Sequence, residues 1–495
     1  WTGNRITCRD WFQLCLKEGL TVFRDHEFSA DMRSRAVKRI AEVRGLKANQ
    51  FPEDQGPLAH PVRPRKYREI NNFYTATVYE KGSEVVRMIR TVIGEKSFKA
   101  GLDLYFERHD GDAATIEDFL ACFEEASGRD LAQFSLWYHQ AGTPTVMVSA
   151  DYDKAAKTFT LDLEQVSKPT PGESRKRLMH IPVKFALIGK NGVKIEAQHA
   201  EGAGVSGDVI HLRKKKQRIV FSGIAERPVP SLLRGFSAPV TLAFEQKSED
   251  RLFLARHDDD LVSRWQALNV ASTEALIEAV NLLRGGRVAR FDPKLFAIFG
   301  EISGNEKLEP AFRALAITLP LEGDIAREIG RNVDPGAVFA ARNALIRETA
   351  TANAGVFATV METMRSSEAF SPDAASAGKR ALKNVLMDFL STASGEPSFA
   401  AEEFTSATNM TDRLAALAVL CLRFAETPET CRALAAFEKR HGQDSLTMDK
   451  WFAAQAMIPG PKTLEHVIGL TKHHAFSFAN PNRMRSLIGT FATSN

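Results

Sequence analysis

Two carboxylates, Glu18 and Asp25, stand seven residues apart in RDWFQLCLKEGLTVFRD, the stretch from Arg9 to Asp25. At about 100° per helical residue, seven steps make two turns less about 20°, so both acids point the same way. Trp11, Leu14, Leu16 and Phe23 lie close by in the same pattern. A carboxylate beside a core needs a partner, a proton or a metal ion. The competing reading is a solvated stripe along an amphipathic helix.

Other stretches offer chemistry by spelling alone. HEFSA, His26 to Ala30, begins like the two-histidine H-E-x-x-H metal helix, but its fifth residue is Ala30 and the geometry fails. None of the 12 histidines pairs with another at i, i+4. His473 and His474 are adjacent and cannot face one metal from one helix, so on this reading the chain holds no complete metal site. GAGVSG, Gly202 to Gly207, matches G-x-G-x-x-G letter for letter. A nucleotide loop must open a helix, whereas strand-like DVIHLR follows, so GAGVSG reads as a loop between strands. RKKKQR, Arg213 to Arg218, lacks the aromatic or groove-reading neighbours of a nucleic-acid surface and reads as a solvated hairpin tip. HDDDL, His257 to Leu261, lacks calcium-loop spacing and reads as the charged start of a helix.

The elements that must position these residues change character twice along the chain. Residues 1 to about 142 have helical periodicity. EKGSEVVRMIRTVIG spaces Val85, Met88, Ile89, Val92 and Ile93 on one face. TIEDFLACFEEASG opens with a capping-box-like Thr115 and Asp118 and stops at Gly128. Pro-rich GPLAHPVRPRKY reads as an extended connector. Over about 143–244 the period becomes 2: TVMVSADYD, KTFTLDLEQV, MHIPVKFALIG, VKIEAQ, DVIHLR and QRIVF are short alternating runs, the pattern of a β-sandwich. From 245 to 495 amphipathic helices return, such as ALIEAVNLLRG and DRLAALAVLCLRF, without a strict repeat.

A chain of 495 residues exceeds one core, which rarely grows past about 250–300 residues. Hydrophobic content of 44%, charged content of 25% and a mean hydropathy of −0.22 fit an ordinary soluble globular protein. A net charge of +4 argues against wholesale attraction to nucleic acid or membrane. Five cysteines without CxxC spacing fit a reducing cytoplasm. No apolar run reaches the roughly 18 residues of a membrane-spanning helix, and no signal peptide opens the chain. The sequence starts at Trp1 and stops at LIGTFATSN without an obvious cap, so a piece of a longer protein is expected.

WTGNRITCRDWFQLCLKEGLTVFRDHEFS, from Trp1 onward, closely resembles the bacterial aminopeptidase N family, zinc-dependent alanyl aminopeptidases of the gluzincin type. In that family an H-E-x-x-H helix continues through N-W-T-G-N-R to a glutamate ligand at the interval H-x18-E. Glu18 fits that ligand, and counting back the same interval places the second histidine upstream of Trp1. The resemblance implies a zinc ion held by three protein ligands, with a fourth position for water. It implies Glu18 as one ligand and Asp25 as the acceptor that orients a ligating imidazole. NNFYTATVYEKG, Asn71 to Gly82, resembles the second family signature. There Tyr79 matches the tyrosine whose hydroxyl donates to the oxyanion, and Tyr74 is a candidate for lining the substrate pocket.

The implied fold is multidomain α+β: the mainly helical remainder of a thermolysin-like catalytic domain (1–142), a small β-sandwich (143–244) and a large, solenoid-like α-helical C-terminal domain (245–495). The implied activity is release of N-terminal amino acids from peptides, with broad preference for basic and small apolar residues, by a cytoplasmic monomer with peptide substrates and no nucleic-acid or membrane partner. The zinc histidines, the general-base glutamate and the G-x-M-E-N loop that grips the substrate amine do not occur here. The chain alone is therefore expected neither to retain Zn2+ nor to be active. The alternative is a catalytically dead paralogue serving as a peptide-binding or interaction scaffold. Joint retention of Glu18, Asp25 and Tyr79 argues against decay.

Overall fold

The computed structural model describes residues 2–202, 204–366 and 368–494. It divides into two compact units, Trp1–Ala271 and Ser272–Asn495.

In the first unit, helices α1 (Leu14–Met32) and α2 (Arg35–Gly45) are followed by a π-helical turn, Leu46–Gln50, and the short α3 (Phe51–Gln55). The Pro-rich stretch after it has no regular structure, as expected of a connector. A second π-helical turn, Thr77–Lys81, runs directly into α4 (Gly82–Ile93). The apolar set at helical spacing on α4 is buried: Val85, Met88, Ile89, Val92 and Ile93. Helices α5 (Glu95–His109), α6 (Ile116–Ser127) and α7 (Leu136–His139) complete this part. Helix α6 begins as its sequence indicates. The Asp118 amide donates to Thr115 Oγ1 at 3.2 Å, and the Thr115 amide donates to Asp118 Oδ2 at 2.9 Å. It ends at Gly128, whose φ of +63° is the left-handed cap that glycine adopts without strain. The parallel pair β1 (Thr7–Cys8) and β2 (Ala113–Ala114) ties the start of the chain to the entry of α6.

Among the described residues nine further strands form two sheets: β3 (Thr145–Asp153), β4 (Thr158–Val166), β5 (Ile181–Ile188), β6 (His199–Glu201), β7 (Val205–Ser206), β8 (Val209–Leu212), β9 (Lys216–Ser222), β10 (Val229–Leu232) and β11 (Thr241–Phe244). One sheet has the order β11-β3-β4-β9-β6, the other β10-β5-β8-β7. All pairs are antiparallel except β11 on β3. Alternate residues of β4 (Phe159, Leu161, Leu163) and β9 (Ile219, Phe221) are buried, the period-2 signature of a half-covered sheet. Their core is continuous with Ile181, Val183 and Leu187 of the other sheet and with α4 and α6. Buried Gln165 is satisfied: it donates to the carbonyls of Met179 (2.9 Å) and Lys214 (3.1 Å) and accepts from the Met179 amide (2.8 Å).

Two local expectations need correction. VKIEAQ is not a strand; Lys194 makes only an isolated bridge to Ile188, and the strand forms later at His199–Glu201. RKKKQR is not a hairpin tip either. Strand β8 pairs with β5 and β7 while β9 pairs with β4 and β6, so the basic run crosses between sheets. Its lysines are exposed, and Arg218 pairs with Asp162 of β4 at 2.8 Å. GAGVSG leads through β7 into β8, with no helix after it; its Ala203 lies outside the described residues.

Helices α8 (Ser248–His257) and α9 (Leu261–Arg284) follow, and the division between units falls inside α9. HDDDL does open α9: Asp260 accepts from the Ser263 amide at 2.8 Å, while Asp258 and Asp259 pair with Arg234.

The second unit is helical among its described residues: α10 (Pro293–Gly304), α11 (Pro310–Ile317), α12 (Glu322–Ile329), α13 (Pro335–Thr363), α14 (Ala374–Ser394), α15 (Ser398–Ser406), α16 (Met410–Arg423), α17 (Pro428–His441), α18 (Ser445–Ala456), α19 (Thr463–Leu470) and shorter terminal segments. Asp334, Asp373, Asn409, Thr427 and Asp444 each cap a helix by accepting an amide of the first turn. Helix α13 packs on α10 and α14, α14 on α11 and α16, and α16 on α15, α17 and α18, so each helix meets near neighbours in sequence. The fold class is multidomain α+β, as the sequence indicates.

Candidate functional site

Glu18 and Tyr79 meet where α1 crosses the π-helical turn. The crossing is set by two glycines. A Cβ on Gly19 would stand 2.9 Å from the Gly82 carbonyl carbon, and one on Gly82 would stand 3.3 Å from the Gly19 Cα. A side chain at Gly19 would force the Gly82 backbone away, and one at Gly82 would need the Gly19 backbone to give by a few tenths of an ångström. Each glycine lies beside a site residue, Gly19 next to Glu18 and Gly82 three after Tyr79.

Tyr79 sits within the turn Thr77–Lys81, where i→i+5 bonding replaces the α-helical pattern, a feature frequent at functional sites. Its hydroxyl is pushed up to about 12 by burial, then by the charge of the nearby Glu18 carboxylate and by Tyr74. The phenol therefore keeps its proton at neutral pH and remains a donor. Tyr74 is half exposed, with its ring 6.1 Å from that of Tyr79 and tilted by 32°. Glu18 is partly covered, with Lys17 Nζ 3.0 Å from its Oε1. Asp25 lies two turns along α1, exposed, with Lys38 Nζ at 3.8 Å. Glu18, Tyr79 and Tyr74 are thus brought together, and Asp25, two turns along the same face of α1, is exposed.

The Y-E-K-G lysine has a structural task. Lys81 is fully buried, with Nζ 2.6 Å from Asp54 Oδ2 and 3.0 Å from the Gly142 carbonyl. Asp54 also accepts from the Gly142 amide (2.7 Å) and the Thr143 hydroxyl (3.0 Å). Burial would raise the Asp54 pKa, but the Lys81 charge and these hydrogen bonds hold it below the usual range. Glu53 Oε1 accepts from the Thr77 amide (2.8 Å) and hydroxyl (2.5 Å). The turn that carries Tyr79 is therefore fixed at both ends by α3 and by the entry to the sandwich.

Sequence reading missed a buried charge network on the other side of α1. Glu27 accepts from Arg87 (2.7 Å), Arg90 (2.9 Å) and Arg35 (2.9 Å). Burial opposes its charge, yet these guanidiniums, Arg90 first, hold its pKa down to about 2. Arg39 grips Glu84 bidentately at 2.6 Å on both oxygens and donates to the carbonyls of Gly235 (3.0 Å) and Phe236 (2.9 Å). The His26 ring is pushed down to about 4, first by burial and then by Lys38 and Arg87. HEFSA is thus no metal motif but part of the clamp between α1, α2 and α4. The available signal was charge on the apolar face of α4, Glu84 and Arg87 among buried valines.

Among the described residues the group of three metal-ligating side chains close together is Glu438, His473 and His474, and it does not include Glu18. Glu18 supplies one donor where a zinc centre takes three, so the residues present do not fit the ion by themselves. Among the described residues no helix is long and apolar enough to cross a membrane.

Residues 1–138 match the peptidase family M1 domain, residues 142–245 a domain of unknown function with an Ig-like fold (DUF3458), and residues 248–495 its C-terminal partner of ARM repeats (DUF3458_C). The chain is 42% identical to aminopeptidase N of Escherichia coli over 501 residues and 43% identical to that of Caulobacter vibrioides over 498. Each alignment covers 100% of this chain and 56% of the relative, so the chain spans little more than half their length. Among solved structures, Legionella pneumophila aminopeptidase A in complex with aspartic acid superposes with a TM-score of 0.84 at 27% identity, covering 99% of this chain and 55% of that one.

Proposed function

Because the chain belongs to the bacterial aminopeptidase N family of M1 peptidases, we propose that it is the Glu18- and Tyr79-bearing part of a zinc aminopeptidase that removes N-terminal residues from peptides. The observation that carries this reading is the glycine-gauged approach of Glu18 and Tyr79, a carboxylate and a protonated phenol on separate elements. In this reading Glu18 is a zinc ligand, completed by two histidines that this sequence does not contain. Asp25 would accept the free N–H of one of them. Tyr79 would donate a hydrogen bond to the oxyanion of the tetrahedral intermediate, a contribution of about 3–4 kcal/mol in comparable sites. Tyr74, exposed beside it, borders the bound substrate side chain.

The same proposal includes broad preference for basic and small apolar residues and a monomeric, cytoplasmic protein. Its five cysteines are all free, consistent with a reducing compartment. The test is kinetic, in a protein that also carries the H-E-x-x-H helix. Tyr79→Phe should lower kcat while KM stays close to its original value; unchanged kcat would remove Tyr79 from the mechanism. Glu18→Ala should lower zinc content by one equivalent per chain, and an undiminished content after dialysis would contradict its role.

A further inference from the structure

The turn after α19 corrects an expectation drawn from sequence. Adjacent histidines cannot share a metal from one helix, but residues 471–476 are not helical. The rings of His473 and His474 stand 4.3 Å apart at 36°, both beside α17. His473 Nε2 lies 2.9 Å from Glu438 Oε1. One donor atom from each of Glu438, His473 and His474 lies within 4.8 Å of the others.

His473 is the fixed member. Its ring packs on Trp451 at 5.1 Å and Phe452 at 5.5 Å, and its Nδ1 accepts from the Ala475 amide at 3.2 Å. That leaves Nε2 directed at Glu438. Glu438 is half-buried and His474 exposed, so both can rotate without disturbing the core. In a tetrahedral centre with bonds of about 2.0–2.1 Å the donors stand roughly 3.3 Å apart, so a small rotation of these two side chains closes the set. Metal on Nε2 would place the ring proton on Nδ1 and release the Ala475 amide to solvent, a cost of one hydrogen bond. Two imidazoles and a carboxylate suit zinc and its neighbours in the transition series rather than calcium or magnesium, which prefer oxygen.

We propose that Glu438, His473 and His474 form a binding site for a zinc-type divalent ion that staples α17 to the turn following α19. A bound ion would stabilise the second unit by mass action, because an unfolded chain does not hold the three donors together.

The probe is zinc alone, added to the metal-stripped chain and read by equilibrium dialysis with metal analysis and by thermal unfolding. The wild-type chain should take up zinc and unfold at higher temperature. His474→Ala and Glu438→Gln, which remove accessible side chains, should bind at least about tenfold more weakly and lose that shift. Glu465→Gln, an exposed acid on α19 outside the cluster, should bind as wild type does. Zinc uptake by His474→Ala equal to wild type, or no uptake by the wild-type chain, would overturn the proposal. His474→Gln folding normally in metal-free buffer but failing to gain stability from zinc would separate ligation from packing.

Discussion

Glu18 and Glu27 share helix α1, and their surroundings could hardly differ more. Nine residues at about 100° each make two and a half turns, so the two carboxylates face opposite ways. Glu27 is enclosed by Arg35, Arg87 and Arg90, and each of its oxygens is hydrogen-bonded. Glu18 has Lys17 and the Tyr79 hydroxyl, at the rim of a half-open site. A fully paired buried carboxylate holds helices together and has no valence to spare. A carboxylate left beside a neutral phenol keeps its lone pairs available to an incoming group. One helix thus supplies both the scaffold and the reactive edge.

The difference can be broken by substitution, beginning with the largest effect. In a protein that carries the zinc helix, Glu18→Ala should lower zinc content by one equivalent and turnover to background, whereas Glu27→Ala should leave the zinc content of folded protein unchanged. Equal metal loss in both, by metal analysis, would erase the distinction. Glu27→Ala should instead lower the unfolding free energy by about 1–3 kcal/mol in denaturant titration, because it removes a buried acceptor from three guanidiniums, the mostly covered Arg87 among them. Tyr79→Phe should cost about 10²–10³ in kcat with its melting temperature preserved. Gly19→Ala, forced against the Gly82 backbone, should cost about 1–3 kcal/mol of stability and lower kcat as well, since the Glu18–Tyr79 approach widens.

The smallest effect is in pH. Folding holds His26 near 4, below its usual 6.5, so the unfolded chain takes up that proton first. Stability should therefore fall as pH drops through 6.5 towards 4, by up to about 1.4 kcal/mol per unit. Glu27, held near 2 against a usual 4.5, contributes fully above pH 4.5 and loses that contribution as pH falls towards 2. The stability difference between wild type and Glu27→Gln should accordingly shrink only below about pH 4.5. A difference that already shrinks at pH 6 would place the carboxylate outside the arginine clamp.

Much of the fold was legible because its elements are written in short runs. The Thr115–Asp118 capping box, the apolar face of α4 and the alternation in β4 and β9 depend on neighbours within a turn or a pleat, and each is found where the sequence puts it. The errors came where a partner is distant. VKIEAQ alternates like a strand but finds no ladder beyond one bridge, and RKKKQR links two sheets because β8 and β9 choose different partners. Arg39, Glu84 and Glu27 look like surface charge until three helices close around them.

The sequence by itself determined the helical and strand periods, the fold class and the presence of Glu18, Asp25, Tyr74 and Tyr79 in two recognisable runs, because periodicity and local signatures are written within a few turns of chain. Tertiary structure alone decided that Gly19 meets Gly82, that Lys81 is buried on Asp54, and that His473 and His474 come beside Glu438. Those contacts join residues between 27 and 63 positions apart. Backbone approach and charge pairing across such distances follow from packing, which no local pattern encodes.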